Sequence, residues 1–207
     1  MPHPSQPIRI QLTHLADKER QVTPMSLSDK TTITTFNSLD ITPVNPSTVV
    51  SCRFWSKLEP AELIAIYKSF DKLESLYLSH QDLEAVDLVG INPNLKLLDI
   101  SNNRITHVDT VHIPNVTHLI AGYNPLRTLD ITPCRKLTSV LVPRCDLYNL
   151  NVDQCSDLHH LDVFGNIEMY SVGISALEHI GYVRAKSAYH EVKVIDARPR
   201  TIPVHIN

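Results

Sequence analysis

Glycine is scarce in this chain, five in 207 residues, and none lies in a G-x-G-x-x-G or P-loop run. A phosphate-cradling nucleotide site of either kind is therefore not indicated. H-E-x-x-H, G-x-S-x-G and C-x-x-C are also missing, which leaves no short motif for a zincin, a serine hydrolase or a dithiol oxidoreductase. Cysteines number four, Cys52, Cys134, Cys145 and Cys155. They do not look like an extracellular disulfide framework and favour a reducing compartment. No run of about 18 apolar residues occurs, so no transmembrane helix is expected. The opening MPHPSQPIRIQ lacks the apolar core of a secretory signal, and a cytoplasmic location is expected. A net charge of −3 gives no bulk attraction to nucleic acid or to an acidic membrane.

What the chain does have is repetition. LKLLDISNNRI, starting at Leu95, reads Leu-x-x-Leu-x-Ile-x-x-Asn-x-Ile. The same frame appears in LESLYLSHQDL from Leu73, VTHLIAGYNPL from Val116, LTSVLVPRCDL from Leu137 and LHHLDVFGNIE from Leu158. These starts are 22, 21, 21 and 21 residues apart, and a weaker copy, IGYVRAKSAYH, follows 22 residues later at Ile180. Apolar residues alternate within each copy, the period of a half-buried strand. Such a strand is too short to bury its face alone, so neighbouring copies must stack into a parallel sheet. Leu76/Leu78, Leu98/Ile100, Leu119/Ala121, Val140/Val142 and Leu161/Val163 then form two core ladders. Asn103, Asn124 and Asn166 stand where the chain turns away from the strand, with Cys145 and Gln81 in the same place in their copies. A buried amide there satisfies free backbone groups of adjacent turns.

The frame and its period resemble the leucine-rich repeat family over roughly residues 73–190. The resemblance implies a right-handed α/β solenoid with a parallel sheet on its concave side. The return segments, such as Leu126-x-x-Leu129-x-Ile131 and Leu147-x-x-Leu150-x-Val152, are too short and too rich in Asp, Thr, Pro and Asn for regular helices. Extended or 3₁₀ arcs are expected on the convex side, as in the short-repeat bacterial members of the family. Residues 1–46 read as an N-terminal flank, with strand character at Pro7–Leu12 and Thr32–Ile41. Residues 47–72 read as a cap. TVVSCRFW alternates like a strand, and PAELIAIYKSFDKL has helical spacing, with Pro60 at its first turn and Ala61, Leu63, Ile64, Ile66, Tyr67 and Phe70 on its apolar face. Residues 73–207 are the solenoid, degenerating where Glu168 and Ser171 replace Leu or Val. One more edge strand is expected in TIPVHI around Ile202, with EVKVID as the return before it. Cys134 and Cys155, 21 residues apart in successive copies, read as small buried apolar residues with free thiols.

The residues pointing away from the core carry the functional information. The third, fifth, seventh and eighth frame positions face the concave side. They include Leu97, Ile120, Tyr123, Leu141 and Phe164, which are apolar, predicted to be exposed, and flanked by Tyr77 and Tyr182. Asp99, Arg144, Asp162, Arg184 and Lys186 rim them, and His118 and His160 share the surface. An apolar, aromatic-bearing patch with a charged rim is the composition of a protein interface. The family resemblance likewise implies a non-catalytic module that binds a partner protein. Occlusion of the partner's surface is the expected mode, and the bacterial members include effectors injected into host cells. A monomer is expected, with no cofactor, nucleic acid or membrane as partner. The rival readings are a metal-dependent enzyme built on His160 and Asp162 and a scaffold that oligomerises through its open edge. His118 lies two strands from His160, on the order of 10 Å, too far to share one ion.

Overall fold

A computed structural model describes residues 32–36, 49–54, 59–187, 189–190, 192–196 and 204–205. Residues 1–31 and the strand read at Pro7–Leu12 lie outside these. Six three-residue strands come from the repeats: β3 (Ser75–Tyr77), β4 (Leu97–Asp99), β5 (His118–Ile120), β6 (Ser139–Leu141), β7 (His160–Asp162) and β9 (Tyr182–Arg184). β1 (Thr32–Phe36) and β2 (Val49–Phe54) extend the sheet at one end, and β11 (Val204–His205) at the other. The order is β1-β2-β3-β4-β5-β6-β7-β9-β11, and every neighbouring pair is parallel.

The register follows from the frame. Leu98 pairs with both Leu76 and Leu119, Val140 with both Leu119 and Leu161, and each of these five residues is fully inaccessible. A slip of one residue would turn this whole row to solvent, so burial of one face pins the alignment. The second ladder, Leu78, Ile100, Ala121, Val142 and Val163, is equally buried. A third runs down the far side of each turn: Ile91, Ile113, Cys134, Cys155 and Leu177. Cys134 and Cys155 thus stand in for branched aliphatics. Their Sγ atoms donate weakly to the carbonyls of Ile113 (3.6 Å) and Cys134 (3.7 Å), one turn earlier. All four cysteines are free thiols. Burial pushes Cys134, Cys145 and Cys155 up to about 11, and raises Cys52 as well. Since the thiolate is the nucleophile, the folded protein at pH 8 is expected to give no prompt reaction with Ellman's reagent. All four thiols should react in guanidinium. Prompt reaction of any of them, or a 134–155 disulfide in non-reducing mass spectrometry, would contradict this.

The turns after the strands repeat as closely as the strands do. The N–H groups of His80, Asn102, Tyr123, Arg144 and Gly165 each donate to the carbonyl of the seventh frame position one turn later, at 2.5–3.1 Å. All five residues have positive φ, from 51° to 74°. Only Gly165 takes this left-handed conformation without side-chain strain. Gly122 serves a different need: a Cβ there would come within 2.6 Å of Pro143 Cδ and 2.9 Å of the Pro143 carbonyl oxygen. Gly122→Ala is therefore expected to cost about 1–3 kcal/mol through overpacking, partly restored by adding Pro143→Ala. Chemical denaturation of the two variants would test this, and an unchanged Gly122→Ala midpoint would contradict it.

The returns are irregular arcs, with one 3₁₀ turn among the described residues, at Thr110–His112. Asp87, Asp109, Asp130 and Asn151 mark one place in successive returns. Each side-chain oxygen accepts the N–H two residues on, at 2.9–3.2 Å. This local turn competes with α-helix formation, and at Asp109 it caps the start of the 3₁₀ turn. The Thr132 N–H holds the Asp130 carboxyl below its usual range.

The cap contains the helix α1 (Pro60–Lys68), with proline in its first turn. Leu63, Ile66, Tyr67 and Phe70 are buried, whereas Ala61 is exposed and Ile64 half-buried, so the apolar face is narrower than its sequence suggests. Tyr67 Oη donates to the Asp87 carbonyl at 2.6 Å, and Lys68 pairs with the Asp87 carboxylate, fastening the helix to the first return.

Three details at the C-terminal end differ from the sequence reading. The repeat beginning at Leu158 resumes its core one residue late: Met169, Val172 and Ile174 are buried where Glu168 and Ser171 broke the pattern. EVKVID is more than a return, since β10 (Lys193–Ile195) pairs in parallel with β8 (Ser171–Gly173) in a second, two-stranded sheet. The edge strand β11 does form, but Val204 rather than His205 aligns with Val183, so the last repeat is one residue shorter than expected.

Candidate protein-interaction face

Alternation along each short strand sends the middle residue inward and its two neighbours outward. The parallel register then arranges the outward residues in rows. One row runs Arg53, Tyr77, Asp99, Ile120, Leu141, Asp162, Arg184, and a second runs Ser75, Leu97, His118, Ser139, His160, Tyr182. Most of these side chains are half-buried by their neighbours, while His118 and His160 are exposed. Tyr123 is 49% exposed, and Arg144, also exposed, follows it by one turn.

The structure brings some of the sequence-predicted residues together and separates others. Ile120 and Leu141 are direct register partners. Phe164 carries the Arg184 guanidinium 4.0 Å from its ring centroid and that of Arg144 at 6.0 Å, and Arg144 is also 5.6 Å from the Tyr123 ring. His160 meets Tyr182 edge-on at 4.4 Å. Asp99 stands between Tyr77 and Ile120, and Ser75 and His118 flank Leu97. Tyr77 and Leu97 therefore sit apart from an apolar centre made of Ile120, Leu141 and, beyond Pro143, Phe164.

Asp162, named with His160 in the catalytic alternative, is committed elsewhere. Its Oδ1 accepts the Phe164 N–H at 2.9 Å, and its Oδ2 lies 3.4 Å from Arg184. Asp99 similarly accepts from the Ser101 N–H and hydroxyl. These carboxylates stiffen the ends of their own strands. Among the described residues no group of three His, Cys, Asp or Glu side chains could hold a metal ion, and no helix is long and apolar enough to cross a membrane.

The turn amides complete the picture. Asn103 Nδ2 donates to the carbonyls of Leu78 and Ile100, and its Oδ1 accepts the N–H groups of Gln81 and Leu83. Asn124 and Asn166 repeat the pattern one and three turns on. A 21–22-residue period, an unbroken parallel ladder and buried asparagines stitching three of the turns to the one before occur together. The chain has the leucine-rich repeat fold. No protein-family model matches it, and no curated protein matches it in sequence. Among solved structures, internalin F of Listeria monocytogenes superposes with a TM-score of 0.58 at 16% identity, over 73% of this chain and 51% of that one. Internalin C2 of the same organism gives 0.54 at 18% identity, over 75% and 66%. A leucine-rich repeat protein of Leptospira interrogans gives 0.56 at 20% identity, over 75% and 38%. The chain thus spans between 38% and 66% of the length of these proteins.

Within this leucine-rich repeat fold, sequence reasoning missed Arg53, whose guanidinium lies 4.2 Å over the Tyr77 ring. Arg53 belongs to the cap, outside the repeat frame, so no periodic signal points to it. Also missed were exposed aromatics on the returns: Tyr148, Tyr170 and Tyr189, with Tyr170 stacked on His190 at 4.2 Å.

Proposed function

We propose that this leucine-rich repeat protein binds a partner protein on the open face of its sheet and inhibits that partner by covering a functional surface. The observation that carries the reading is the apolar centre formed by Ile120, Leu141 and Phe164, on a face held rigid by the strand ladder and flanked by Tyr123, Arg144, Asp162, Arg184 and Lys186. His118, His160, Tyr182, Leu97, Asp99 and Tyr77 form its margins. A preformed sheet loses little conformational entropy on binding, so a modest apolar area suffices. Aromatic and arginine side chains at the centre are the residue types that most often dominate interface energetics. The protein acts as a monomer in this reading, and sedimentation should give a single-chain mass.

The test compares the protein with an Ile120→Gln/Leu141→Gln variant as baits in partner capture, followed by an activity assay on what is captured. A partner retained by the parent and lost by the variant supports the face. Equal retention places the interface elsewhere, and undiminished partner activity in the complex removes inhibition.

A further inference from the structure

We infer that the partner presents an acidic segment, and that a cluster of cations around Phe164 receives its carboxylates. This deepens, and rests on, the reading of the open face as the binding surface. Arg144, Phe164 with Gly165, and Lys186 occupy adjoining places in three consecutive turns, since the Arg144 N–H donates to the Phe164 carbonyl at 2.6 Å and the Gly165 N–H to that of Lys186 at 2.5 Å. Arg184 adds its guanidinium against the Phe164 ring. Against three cations stands one carboxylate, Asp162, whose two oxygens are engaged by the Phe164 N–H and by Arg184. Among the described residues no carboxylate pairs with Arg144 or Lys186. The cluster is thus a local excess of positive charge on a chain whose net charge is −3. A guanidinium lying over an aromatic ring keeps the N–H donors on its edge available for bidentate recognition of a carboxylate.

The layout gives the segment a pattern. Leu141 and Arg184 stand two strands apart in one row, about 10 Å at the usual strand spacing. An extended chain advances about 3.3 Å per residue. From a seat between Ile120 and Leu141 the span to Arg184 is about 12 Å, so a segment crossing the strands would place an acidic residue about four positions from the apolar residue seated there, an even spacing that keeps both side chains facing the sheet. Asp99, next to Ile120 on the opposite side, repels acid there, so the negative charge belongs on one flank only. A continuous polyanion such as nucleic acid would have to run past Asp99 and Asp162; isolated acidic side chains need not.

The experiment pans a displayed library of random peptides, about 12 residues long, against the whole protein, an Arg144→Glu/Lys186→Glu variant and the Ile120→Gln/Leu141→Gln variant. Thermal melts first verify that each variant is folded. The expected result is more than tenfold enrichment, on the parent, of peptides with Asp or Glu about four residues from a large apolar residue. Charge reversal should weaken these peptides by about 30-fold and select lysine or arginine at the same spacing. Their affinity should fall about tenfold or more as sodium chloride rises from about 0.05 to about 0.5 M. Peptides without acidic bias that are lost on the glutamine variant would overturn the acidic partner while leaving the face intact. Peptides held equally by all three proteins, or no enrichment, would overturn both.

Discussion

Ile120→Gln with Leu141→Gln is expected to weaken partner binding by roughly two to three orders of magnitude while leaving the fold in place. Each side chain, if fully covered by a partner, contributes about 1.5–3 kcal/mol of apolar burial. Losing most of two such terms amounts to about 3–4 kcal/mol, at about 1.4 kcal/mol per tenfold change. Glutamine is chosen because of the neighbours. Ile120 pairs with Asp99 and Leu141 with Asp162. Aspartate at both positions would set four carboxylates side by side across adjacent strands, and their repulsion would confound folding with binding. In the free protein both side chains are half-buried at the surface of the sheet, so the stability change should stay small. Titration calorimetry gives the affinity and circular dichroism the fold. Full-strength binding by a folded double variant would place the interface on the returns or the cap.

The second large effect is on stability. Asn124→Leu is expected to cost about 2–3 kcal/mol. Asn124 Nδ2 donates to the carbonyls of Ile100 (2.9 Å) and Ala121 (3.0 Å), and its Oδ1 accepts the Ile105 N–H (2.9 Å). Leucine would strand the buried Ile105 N–H, at about 1–3 kcal/mol, and leave the Ile100 and Ala121 carbonyls with only the Asn103 amide (2.8 Å) and the Cys145 thiol (3.4 Å) as donors. The chain supplies its own control at Cys145, which occupies the same place one turn later. Its thiol reaches the Ala121 carbonyl at 3.4 Å but offers no oxygen, and the Leu126 N–H that an asparagine would engage bonds to the Asn124 carbonyl instead. Cys145→Asn should therefore be tolerated or stabilise by about 1 kcal/mol, because it restores the stronger donor. Urea unfolding of both variants decides: an Asn124→Leu midpoint equal to the parent would contradict the stitching role.

Much of this fold could be read in advance because a repeat shows its register many times over. The buried rows through Leu98 and Ile100 were set by alternation, and the asparagines fixed where each strand ends. The lack of α-helices in the returns followed from their Asp, Asn, Thr and Pro, although the side-chain turns at Asp87, Asp109, Asp130 and Asn151 went unrecognised. Reading failed where the period changes by one residue. Glu168 and Ser171 looked like decay because the frame was carried forward rigidly past an extra residue, and Met169 and Val172 take up the core instead. β11 formed within TIPVHI as expected, but the same rigidity set its alignment with β9 off by one residue. The strained positive-φ turns at Tyr123 and Arg144 carry no sequence signal, since only Gly165 in that series announces one.

For the face, the rows of outward residues were legible, but their neighbours across the sheet were not. Period alone could not show that Asp99 divides Tyr77 from Ile120, that Asp162 caps its own strand end and pairs with Arg184, or that two arginines gather at Phe164. Those are contacts between turns, set by side-chain direction and length.

The central claim is that the open face of the sheet meets the partner. Hydroxyl-radical footprinting of the unmodified protein, with and without its captured partner, reads this without altering a residue. The account predicts that Ile120, Tyr123, Leu141 and Phe164 are protected in the complex while Tyr148, Tyr170 and Ile195 keep their reactivity. Protection of Tyr148 and Tyr170 with the open-face residues unchanged would contradict it.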